Sequence, residues 1–571
     1  MASGPRGALP ALRAIAALLF LNVALSFNTW WPTPWVKPDA RLAPELVALW
    51  LVLLVAVKVA GEVSRRLVAV LAAVYVLLVV GRYADVTAPA LFGRPLNLYS
   101  DGRQIPRFLA VVSQHHAPWE LGLVALAALF GLWALYRLLR LAIGTVGRDL
   151  APRALRSRAA LALTALAAAL VVANAAGVKE TWPIVARPVA PTYLRQAELL
   201  VTAFSPRLLA ARLPPSPPFR SDLGALGGRD VKILFLESYG ATVFDDPGFR
   251  NALAPSRAAL ERGIAAGGRQ VVSAFVRSPT FGGASDLAHL GLLSGLDLGD
   301  PLRHDLLLTT RRPTLLTLFR ARGYETYGFY PALSWEWPER AFYGFDHFLD
   351  GPGLGYRGPH FGLWWIPDQY AIARFDELNP IGPDSPPRLL FFPTITTHIP
   401  FRPVPPYQPD WARLLTADPF DAAETARALA DEIDWLDLPP AYARSIEYTY
   451  TWLAGYLARP PPRDDVVILV GDHQPASSVS GEGAPWDVPV HVIASDDVLL
   501  ERLRDAGFAT GLEPRRPGLG AMHDLTRVLL DAFDSDGPAP PTSPRIPQGL
   551  RLADPRGGDE TSEEVVRGVG S

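Results

Sequence analysis

The stretch VKILFLES at residues 231–238 decides the fold of the larger part of this 571-residue chain. It is a short apolar segment rich in residues that favour β-structure, and it ends in the polar pair Glu237 and Ser238. The segments RLLFFPTITTH at 388–398 and DDVVILVGDH at 464–473 repeat this pattern. Strands that are apolar along their whole length are typical of a parallel sheet covered on both faces, and we predict such strands here.

Helical segments alternate with these strands. SRAALERGIAAGG at 256–268 is a helical stretch with a glycine stop, and TLLTLFRARGYETYGFY at 314–330 reads as a helix, a glycine turn and a strand. The alternation predicts an α/β domain with a doubly wound, largely parallel sheet over residues 228–535. In such sheets ligands bind beyond the carboxyl ends of the strands, where the polar residues of the three segments fall.

The first third of the chain is apolar. Five runs contain no charged residue: 14–27, 46–57, 67–81, 121–136 and 159–178. The first four are shorter than the ~20 residues of a membrane helix, but flanking Trp, Tyr, Arg and Glu residues complete each span. We therefore predict a transmembrane domain of five helices at residues 1–178. Buried helices of a soluble domain, or a cleaved signal peptide at the first run, are the alternatives.

Arginine predicts the orientation of these spans. Positive charges precede the first run and separate the second from the third and the fourth from the fifth: Arg6, Arg13, Arg65, Arg66, Arg137, Arg140, Arg148, Arg153, Arg156 and Arg158. With five spans these residues share one side, which the positive-inside rule assigns to the cytoplasm. A linker at 179–227, the α/β domain and a Pro-, Gly- and acid-rich tail at 536–571 then follow outside the cytoplasm. The composition of the tail predicts disorder.

Overall composition excludes several classes of function. The chain has 54 Lys and Arg against 56 Asp and Glu, a net charge of −2, so we expect no nucleic-acid partner. It has no Cys, which excludes disulfides, Cys-based zinc sites, iron–sulfur clusters and thiol nucleophiles.

Four segments carry residues suited to catalysis. Three are the strand ends, which supply Glu237, His398 and the pair Asp472-His473, and the fourth is the Gly-rich loop and helix SPTFGGASDLAHLGLLSGL at 278–296. Carboxylates and one His suit Mn²⁺, Mg²⁺ or Zn²⁺, and a hydroxyl at the start of a helix is activated by a metal and by the helix dipole. These residues fit metal-assisted transfer of a phosphoryl or sulfuryl group. The alternative is that Gly-Asp-His only caps a turn.

The stretches ILFLESYG, GGAS…LLSGL, TTHIPF and VILVGDHQP, in this order behind five apolar runs, resemble a known family. It is the lipoteichoic acid synthase and phosphoglycerol transferase branch of the alkaline phosphatase/sulfatase superfamily. The resemblance covers about 230–530 and the N-terminal architecture. It implies the fold of that superfamily for residues 228–535. It also implies that Glu237, Asp472 and His473 bind one divalent metal ion, with Mn²⁺ as the first choice and Mg²⁺ or Zn²⁺ as alternatives.

The nucleophile implied by the resemblance is Ser285. The family has a Thr in the pattern G-T-x-x-x-E-F-x-x-L-T-G, and counting back from Leu293-Ser294-Gly295 places Ser285 at this Thr and His289 at the Glu. Ser285 would then also contact the metal. Thr280, five residues earlier, is the competing candidate.

Substrate contacts are implied at four further residues. His398 matches a family His that contacts the substrate phosphate and assists proton transfer. The family also has a Trp-x-Arg element before a G-[FY]-D-x-F-x-D strand, which is GFDHFLD at 344–350 here. The upstream stretch SWEWPER has shifted spacing, and it offers Trp335 and Trp337 as an aromatic wall and Arg340 as a phosphate-binding cation.

The resemblance implies a multi-pass protein of the bacterial cytoplasmic (inner) membrane with an extracytoplasmic catalytic domain. It would move a phosphoglycerol-type head group from a membrane lipid donor to a hydroxyl of a glycan, lipid or polymer acceptor. A phosphodiesterase or sulfatase-like hydrolase, with water as acceptor, and a catalytically inactive membrane scaffold are the alternatives. Phosphoethanolamine transferases of the same fold generally carry disulfides, so the absence of Cys argues against them.

Overall fold

A computed structural model of the chain describes residues 8–99, 101–103, 105–106, 117–205, 213–333, 337, 339–361 and 366–535. The chain divides into two compact units, Met1–Phe204 and Ser205–Ser571. The tail predicted to be disordered, 536–571, lies outside the described residues.

The first unit is helical. Its α-helices are α1 (Ala8–Ser26), α2 (Pro44–Ala60), α3 (Arg65–Phe92), α4 (Pro118–Thr145), α5 (Ala151–Leu155), α6 (Arg158–Ala175) and α7 (Ala190–Ala203). A π-helical turn, Val146–Leu150, joins α4 to α5, a 3-10 turn spans Lys179–Thr181, and two short antiparallel strands are β1 (Asn28–Thr29) and β2 (Val36–Lys37). Within the described residues, three helices are long and apolar enough to cross a membrane: Arg65–Phe92, Pro118–Leu155 and Arg158–Ala175; Leu12–Ser26 is a shorter apolar helix.

Apolar side chains of this unit lie both inside and on its surface. Leu21, Leu53 and Ile143 are fully buried where α1, α2 and α4 pack together. On the outer face of α4, by contrast, Val124 and Phe130 are 68% and 66% exposed. Long helices with such an exposed apolar surface are suited to a lipid environment rather than to water.

The second unit is an α/β domain. Its strands are β3 (Asp230–Leu236), β4 (Gln270–Arg277), β5 (Glu325–Tyr330), β6 (His347–Asp350), β7 (Arg388–Pro393), β8 (Asp465–Gly471), β9 (Asp487–Ala494) and β10 (Ala509–Thr510). Its α-helices are α8 (Thr242–Asp245), α9 (Pro247–Ala266), α10 (Ser285–Ser294), α11 (Pro301–Leu308), α12 (Leu315–Ala321), α13 (Arg340–Tyr343), α14 (Asp368–Leu378), α15 (Trp411–Leu414), α16 (Ala422–Leu429), α17 (Pro439–Leu457), α18 (Ser477–Ser480), α19 (Asp497–Asp505) and α20 (Met522–Phe533). Short 3-10 turns span Gly224–Leu226 and Pro352–Leu354.

The eight strands form one sheet in the order β10-β4-β9-β8-β3-β7-β5-β6. The five adjacent strands β8, β3, β7, β5 and β6 are parallel, with Ile233 opposite both Ile468 and Phe391. This confirms the predicted α/β domain with a largely parallel sheet. The antiparallel side formed by β9, β4 and β10 was not predicted, because β9 follows β8 by a connection without a long crossover helix.

Each face of the sheet has its own hydrophobic core. Along β3, Ile233 and Phe235 point to the core that contains α10, α12, α19 and α20, while Leu234 and Leu236 point to the core that contains α9, α14 and α17. Side chains of a strand alternate between the faces, so a continuous apolar strand is what a sheet covered on both sides requires. Because both faces of the sheet are packed, the residues that follow the carboxyl ends of the strands have defined positions.

Candidate active site

The carboxyl ends of β3 and β8 bring three predicted ligands together. These strands are adjacent and parallel, with Leu236 opposite Gly471, so the residues that follow leave the sheet at the same edge. Ligand atoms of Glu237, Asp472 and His473 all lie within 4.8 Å of one another, and all three residues are buried.

The turn after β3 is built to hold Glu237. Ser238 has a left-handed φ of 53°, and its N–H donates to Asp472 Oδ1 at 2.8 Å while its hydroxyl donates to Glu237 Oε1 at 2.9 Å. Gly240 follows because a Cβ there would lie 1.9 Å from Gln474 Oε1. A strained residue at a functional site persists only when its surroundings fix it, and here the hydrogen bonds do so.

The turn after β8 orients His473. The N–H of His473 donates to Asp472 Oδ1 at 2.7 Å, and its ring Nδ1 lies 2.7 Å from the carbonyl oxygen of Gln474. A carbonyl only accepts hydrogen bonds, so Nδ1 carries the proton and Nε2 presents a lone pair. Nε2 lies 3.4 Å from Glu237 Oε1 and 3.6 Å from Asp472 Oδ2. This orientation by a backbone carbonyl is usual for a metal-binding His.

Ser285 completes the cluster. It is the first residue of α10, reached through Gly282, Gly283 and Ala284, all with positive φ. Its Oγ donates to Glu237 Oε2 at 3.2 Å and lies 3.3 Å from His473 Nε2. The hydroxyl therefore stands at a helix N-terminus, where backbone N–H groups and the helix dipole favour an anionic group such as phosphate.

The competing hydroxyl has a different place. Thr280 is buried, and its Oγ1 donates to the carbonyl oxygen of Gly283 at 2.6 Å, so it holds the loop that precedes Ser285. Of the two candidates, it is Ser285 whose described contacts reach the carboxylate and His cluster.

The charge of the cluster suits a divalent cation. Within the described residues, the basic side chain beside both Glu237 and Asp472 is that of His473, and with Nε2 unprotonated it does not offset their charge. Burial, and then the neighbouring Glu237, raise the pKa of Asp472 to about 6, because the carboxylates are crowded without a strong counter-charge. Two carboxylates, one imidazole lone pair and a hydroxyl form a donor set that fits Mn²⁺, Mg²⁺ or Zn²⁺.

His398 lies at the carboxyl end of β7, next to β3. The preceding Thr397 hydroxyl donates to the carbonyl oxygen of Glu237, which ties this loop to the metal-ligand loop. His398 is half-buried, its Nδ1 lies 2.6 Å from the carbonyl oxygen of Ile399, and burial lowers its pKa. Its ring is therefore neutral at pH 7, with Nε2 unprotonated.

The described contacts of the proposed substrate-binding residues Trp337 and Arg340 are with aromatic side chains. The ring of Trp337 lies 4.8 Å from that of Tyr343, and the guanidinium of Arg340 lies 4.8 Å from the ring of Phe348. Both side chains thus belong to an aromatic cluster beside β5 and β6. Trp335 lies outside the described residues.

His289, one helical turn after Ser285, is a packing residue. Its ring centroid lies 4.4 Å from that of Phe235 and 5.4 Å from that of Phe391, and both ring nitrogens are buried with no hydrogen-bond partner in the described part of the chain. Burial lowers its pKa to about 4, so it is neutral.

Sequence reasoning missed three supporting residues: Ser238, Thr397 and Gln474. Their contacts fix Glu237 and His473. The available signal was their direct adjacency to the predicted ligands, since a polar residue next to a ligand at a strand end is well placed to hydrogen-bond the neighbouring loop.

Comparison with known proteins finds a family model that matches part of the chain. The Sulfatase family model matches residues 299–492, a range that contains His398, Asp472 and His473 and begins after Glu237 and Ser285. This match confirms the resemblance to the alkaline phosphatase/sulfatase superfamily and supports an enzyme of phosphoester transfer or hydrolysis. No curated protein matches the chain significantly in sequence.

Several solved structures are similar to this chain. The lipoteichoic acid synthase LtaP from Listeria monocytogenes shares 13% identity over 58% of this chain and 78% of its own, with a TM-score of 0.36. The phosphoglycerol transferase GacH from Streptococcus pyogenes, in complex with sn-glycerol-1-phosphate, shares 13% over 59% and 80%, with a TM-score of 0.34. The C-terminal periplasmic domain of EptC from Escherichia coli shares 14% over 61% and 95%, with a TM-score of 0.38. Similarity at this level does not identify a reaction.

Proposed function

Residues 299–492 of this chain match the Sulfatase family model, and from this premise we propose a metal-dependent phosphoglycerol-type transferase. The enzyme takes the head group of a membrane phospholipid, holds it covalently on Ser285 and passes it to an acceptor hydroxyl of a glycan, a lipid or a growing polymer.

One observation carries this proposal. The Ser285 hydroxyl lies at the N-terminus of α10, 3.2 Å from Glu237 Oε2 and 3.3 Å from His473 Nε2. A nucleophile beside a metal-ligand set and on a helix N-terminus is what covalent phosphoryl transfer needs, because the charge on phosphorus and its oxygens must be neutralised as the bond forms.

Glu237, Asp472, His473 and Ser285 would hold the divalent ion. When bound there, the ion would offset the carboxylate charges, polarise the phosphoryl oxygens and lower the pKa of the serine hydroxyl. Mn²⁺ is our first choice, with Mg²⁺ or Zn²⁺ as alternatives.

The residues of the chain account for both steps. Ser285 Oγ attacks phosphorus and the bond from phosphorus to the diacylglycerol oxygen breaks; the serine proton leaves along the hydrogen bond to Glu237, and the departing oxygen takes a proton from solvent. The acceptor hydroxyl then attacks phosphorus, the bond to Ser285 breaks, and the Ser285 oxygen takes its proton back along the hydrogen bond to Glu237. His398, neutral with Nε2 unprotonated, accepts the proton of the acceptor.

The apolar first unit fits a lipid donor. Among its described helices, three are long and apolar enough to span a bilayer, and we propose that five segments do so, with the N-terminus in the cytoplasm and the catalytic domain outside the cytoplasmic membrane. A membrane-anchored domain can take the head group of a lipid directly at the surface.

Intact-mass spectrometry of the full chain, purified in detergent and incubated with Mn²⁺ and phosphatidylglycerol, tests the proposal. We expect an adduct of one phosphoglycerol on the wild type, none on Ser285→Ala, and an adduct on Thr280→Val, which keeps the shape of the competing side chain. An adduct that is present on Ser285→Ala and absent from Thr280→Val would show that Thr280 is the nucleophile. The absence of an adduct from the wild type and from both variants would contradict covalent transfer.

Hydrolysis is the second candidate, because Ser285 is half-buried and the same site admits water. Release of glycerol phosphate that added glycerol does not suppress would indicate a hydrolase. Partition of the head group to added glycerol, with a matching fall in free glycerol phosphate, would indicate a transferase.

A further inference from the structure

A cavity lies beside the loop at residues 278–284, which leads to Ser285. It has a volume of about 340 Å³, in the lower range of small-molecule sites, and Arg277, Asp297, Trp486 and His523 are among its lining residues. Arg277 ends β4, which runs antiparallel to β9, as β9 does to β8. The carboxyl ends of β4 and β8 therefore lie at the same edge of the sheet, and the cavity is on the side of the catalytic site.

One wall of this cavity is bonded directly to the metal-ligand loop. The hydroxyl of Ser278, a lining residue, donates to the carbonyl oxygen of Asp472 at 2.5 Å, and its N–H donates to the carbonyl oxygen of Trp486 at 2.9 Å. The ring of Phe281, just before the glycine turn to Ser285, lies 5.9 Å from the ring of Trp486. A group bound in the cavity therefore lies next to the loop that leads to Ser285.

Arg277 places a hydrogen-bond donor on the wall of this cavity. The described contact of the Arg277 guanidinium is with the Trp486 ring, 5.9 Å from its centroid. The acidic residue of the wall, Asp297, is neutralised by Arg303 at 2.6 Å.

Such an arrangement selects an anion. A guanidinium stacked on an indole ring is held in place by an interaction that uses none of its N–H donors, so its fork remains available for phosphate or carboxylate oxygens. The imidazole of His523 adds a second polar group to the same wall.

We propose that this cavity is an oxyanion subsite, which binds a phosphate or carboxylate group of the acceptor substrate while its hydroxyl approaches the phospho-enzyme. The assignment to the acceptor rests on the proposed function, whereas oxyanion binding by Arg277 does not. The enzyme would then prefer anionic acceptors, such as a glycerol phosphate terminus, to neutral ones.

Binding is tested first, without catalysis. The full chain in detergent is stripped of metal with EDTA, so that the Glu237 cluster lacks its cation, and is titrated with inorganic phosphate by calorimetry. Since charge-assisted hydrogen bonds are the strong ones, we expect Arg277→Ala to weaken phosphate binding about tenfold or more. Arg262→Ala, at an exposed position of α9, removes the same charge and is expected to change nothing.

Trp486→Phe provides a second measurement. It keeps an aromatic ring beside Arg277 and removes only the buried indole N–H, so we expect the affinity for phosphate to change by less than about twofold. No phosphate binding by the wild type, or equal affinities in the wild type and Arg277→Ala, would overturn the proposal.

Kinetics then test the acceptor assignment. With glycerol 1-phosphate as acceptor, Arg277→Ala should raise KM about tenfold, while KM for glycerol and the rate of phospho-enzyme formation stay unchanged. A slower formation of the phospho-enzyme, or equal increases of KM for both acceptors, would overturn the assignment. Failure of the proposed function is separate, because it appears as the absence of phospho-enzyme in the wild type.

Discussion

Both edges of the sheet hold buried carboxylates, but the groups that lie beside these carboxylates differ between the two edges. At the amino edge, Asp465 begins β8 and lies 2.7 Å from Lys232 Nζ and 2.8 Å from Arg269, and Asp230 at the start of β3 pairs with Arg463 at 3.0 Å. At the carboxyl edge, the described basic residue beside Glu237 and Asp472 is His473, whose Nε2 is unprotonated.

The difference shows which edge is structural and which is suited to function. Burial alone would raise the pKa of Asp465, but Lys232 and Arg269 lower it below its ordinary value. The pKa of Asp472, on the same strand, is instead raised to about 6 by burial and by Glu237. The carboxylates of the amino edge are paired with cations of the chain itself, whereas those of the carboxyl edge form a donor set that could hold a metal ion.

The largest effect that this comparison predicts is on turnover. Ser285→Ala should lower the rate of head-group transfer on the order of 10⁴-fold or more, because alanine has no hydroxyl to attack phosphorus and the neighbouring Ser238 hydroxyl is engaged with Glu237 Oε1. The matched control is Ser294→Ala at the end of the same helix, whose hydroxyl donates to the carbonyl oxygen of Leu290. Comparable losses in both variants would mean that α10 had been disturbed and that Ser285 had no special role.

The next effect is on stability and concerns the amino edge. Asp465→Asn leaves the buried Lys232 and Arg269 without their shared counter-charge, so we expect the free energy of unfolding to fall by about 3–5 kcal/mol. The measurement is chemical unfolding of the full chain in detergent, followed by Trp fluorescence. The affinity for Mn²⁺ should not change; a parallel loss of metal binding would show that the two edges are coupled.

Low pH should remove the contribution that the ionised Asp465 carboxylate makes to the free energy of unfolding. The pKa of Asp465 is lower in the folded state than in the unfolded state, so its ionisation stabilises the fold above the unfolded value of 3.8. That stability is lost as the pH falls through the depressed folded value. Between pH 7 and about pH 3 the wild type should therefore lose more unfolding free energy than Asp465→Asn. Parallel pH curves for the two proteins would contradict this.

For Asp472→Asn we expect the opposite pattern to Asp465→Asn: little change in stability and a large loss of metal affinity. The Asn Oδ1 can still accept the N–H groups of Ser238 and His473, and the crowded negative charge is gone, so the metal-free protein should keep its stability within about 1 kcal/mol. Its affinity for Mn²⁺ should nevertheless fall at least about 100-fold, since loss of supporting contacts alone can cost that much. A destabilisation as large as that of Asp465→Asn would remove the distinction between the edges.

The sequence was sufficient for the parts of the site that follow from strand order. Apolar strands that end in Glu237 and Asp472 had to converge once the sheet was parallel, and the family pattern that the chain resembles placed Ser285 by its spacing to Gly295. The antiparallel edge did not follow, because strand direction after a short connection is set by tertiary pairing. Trp337 and Arg340 were assigned to substrate from the family's Trp-x-Arg element, whereas their described contacts depend on aromatic packing between distant segments.

The smallest effect concerns where the carboxyl-edge site ends. His289 lies below Ser285 on the same helix, but it packs between Phe235 and Phe391, and both of its nitrogens are buried with no partner in the described residues. His289→Leu should therefore stabilise the protein by about 1 kcal/mol, since a buried polar group without hydrogen bonds is replaced by an apolar one. Thermal unfolding in detergent and the yield of the Ser285 adduct are the two measurements. An unchanged adduct yield places the boundary of the site between Ser285 and His289, and a lost adduct at unchanged stability would extend the site to this buried ring.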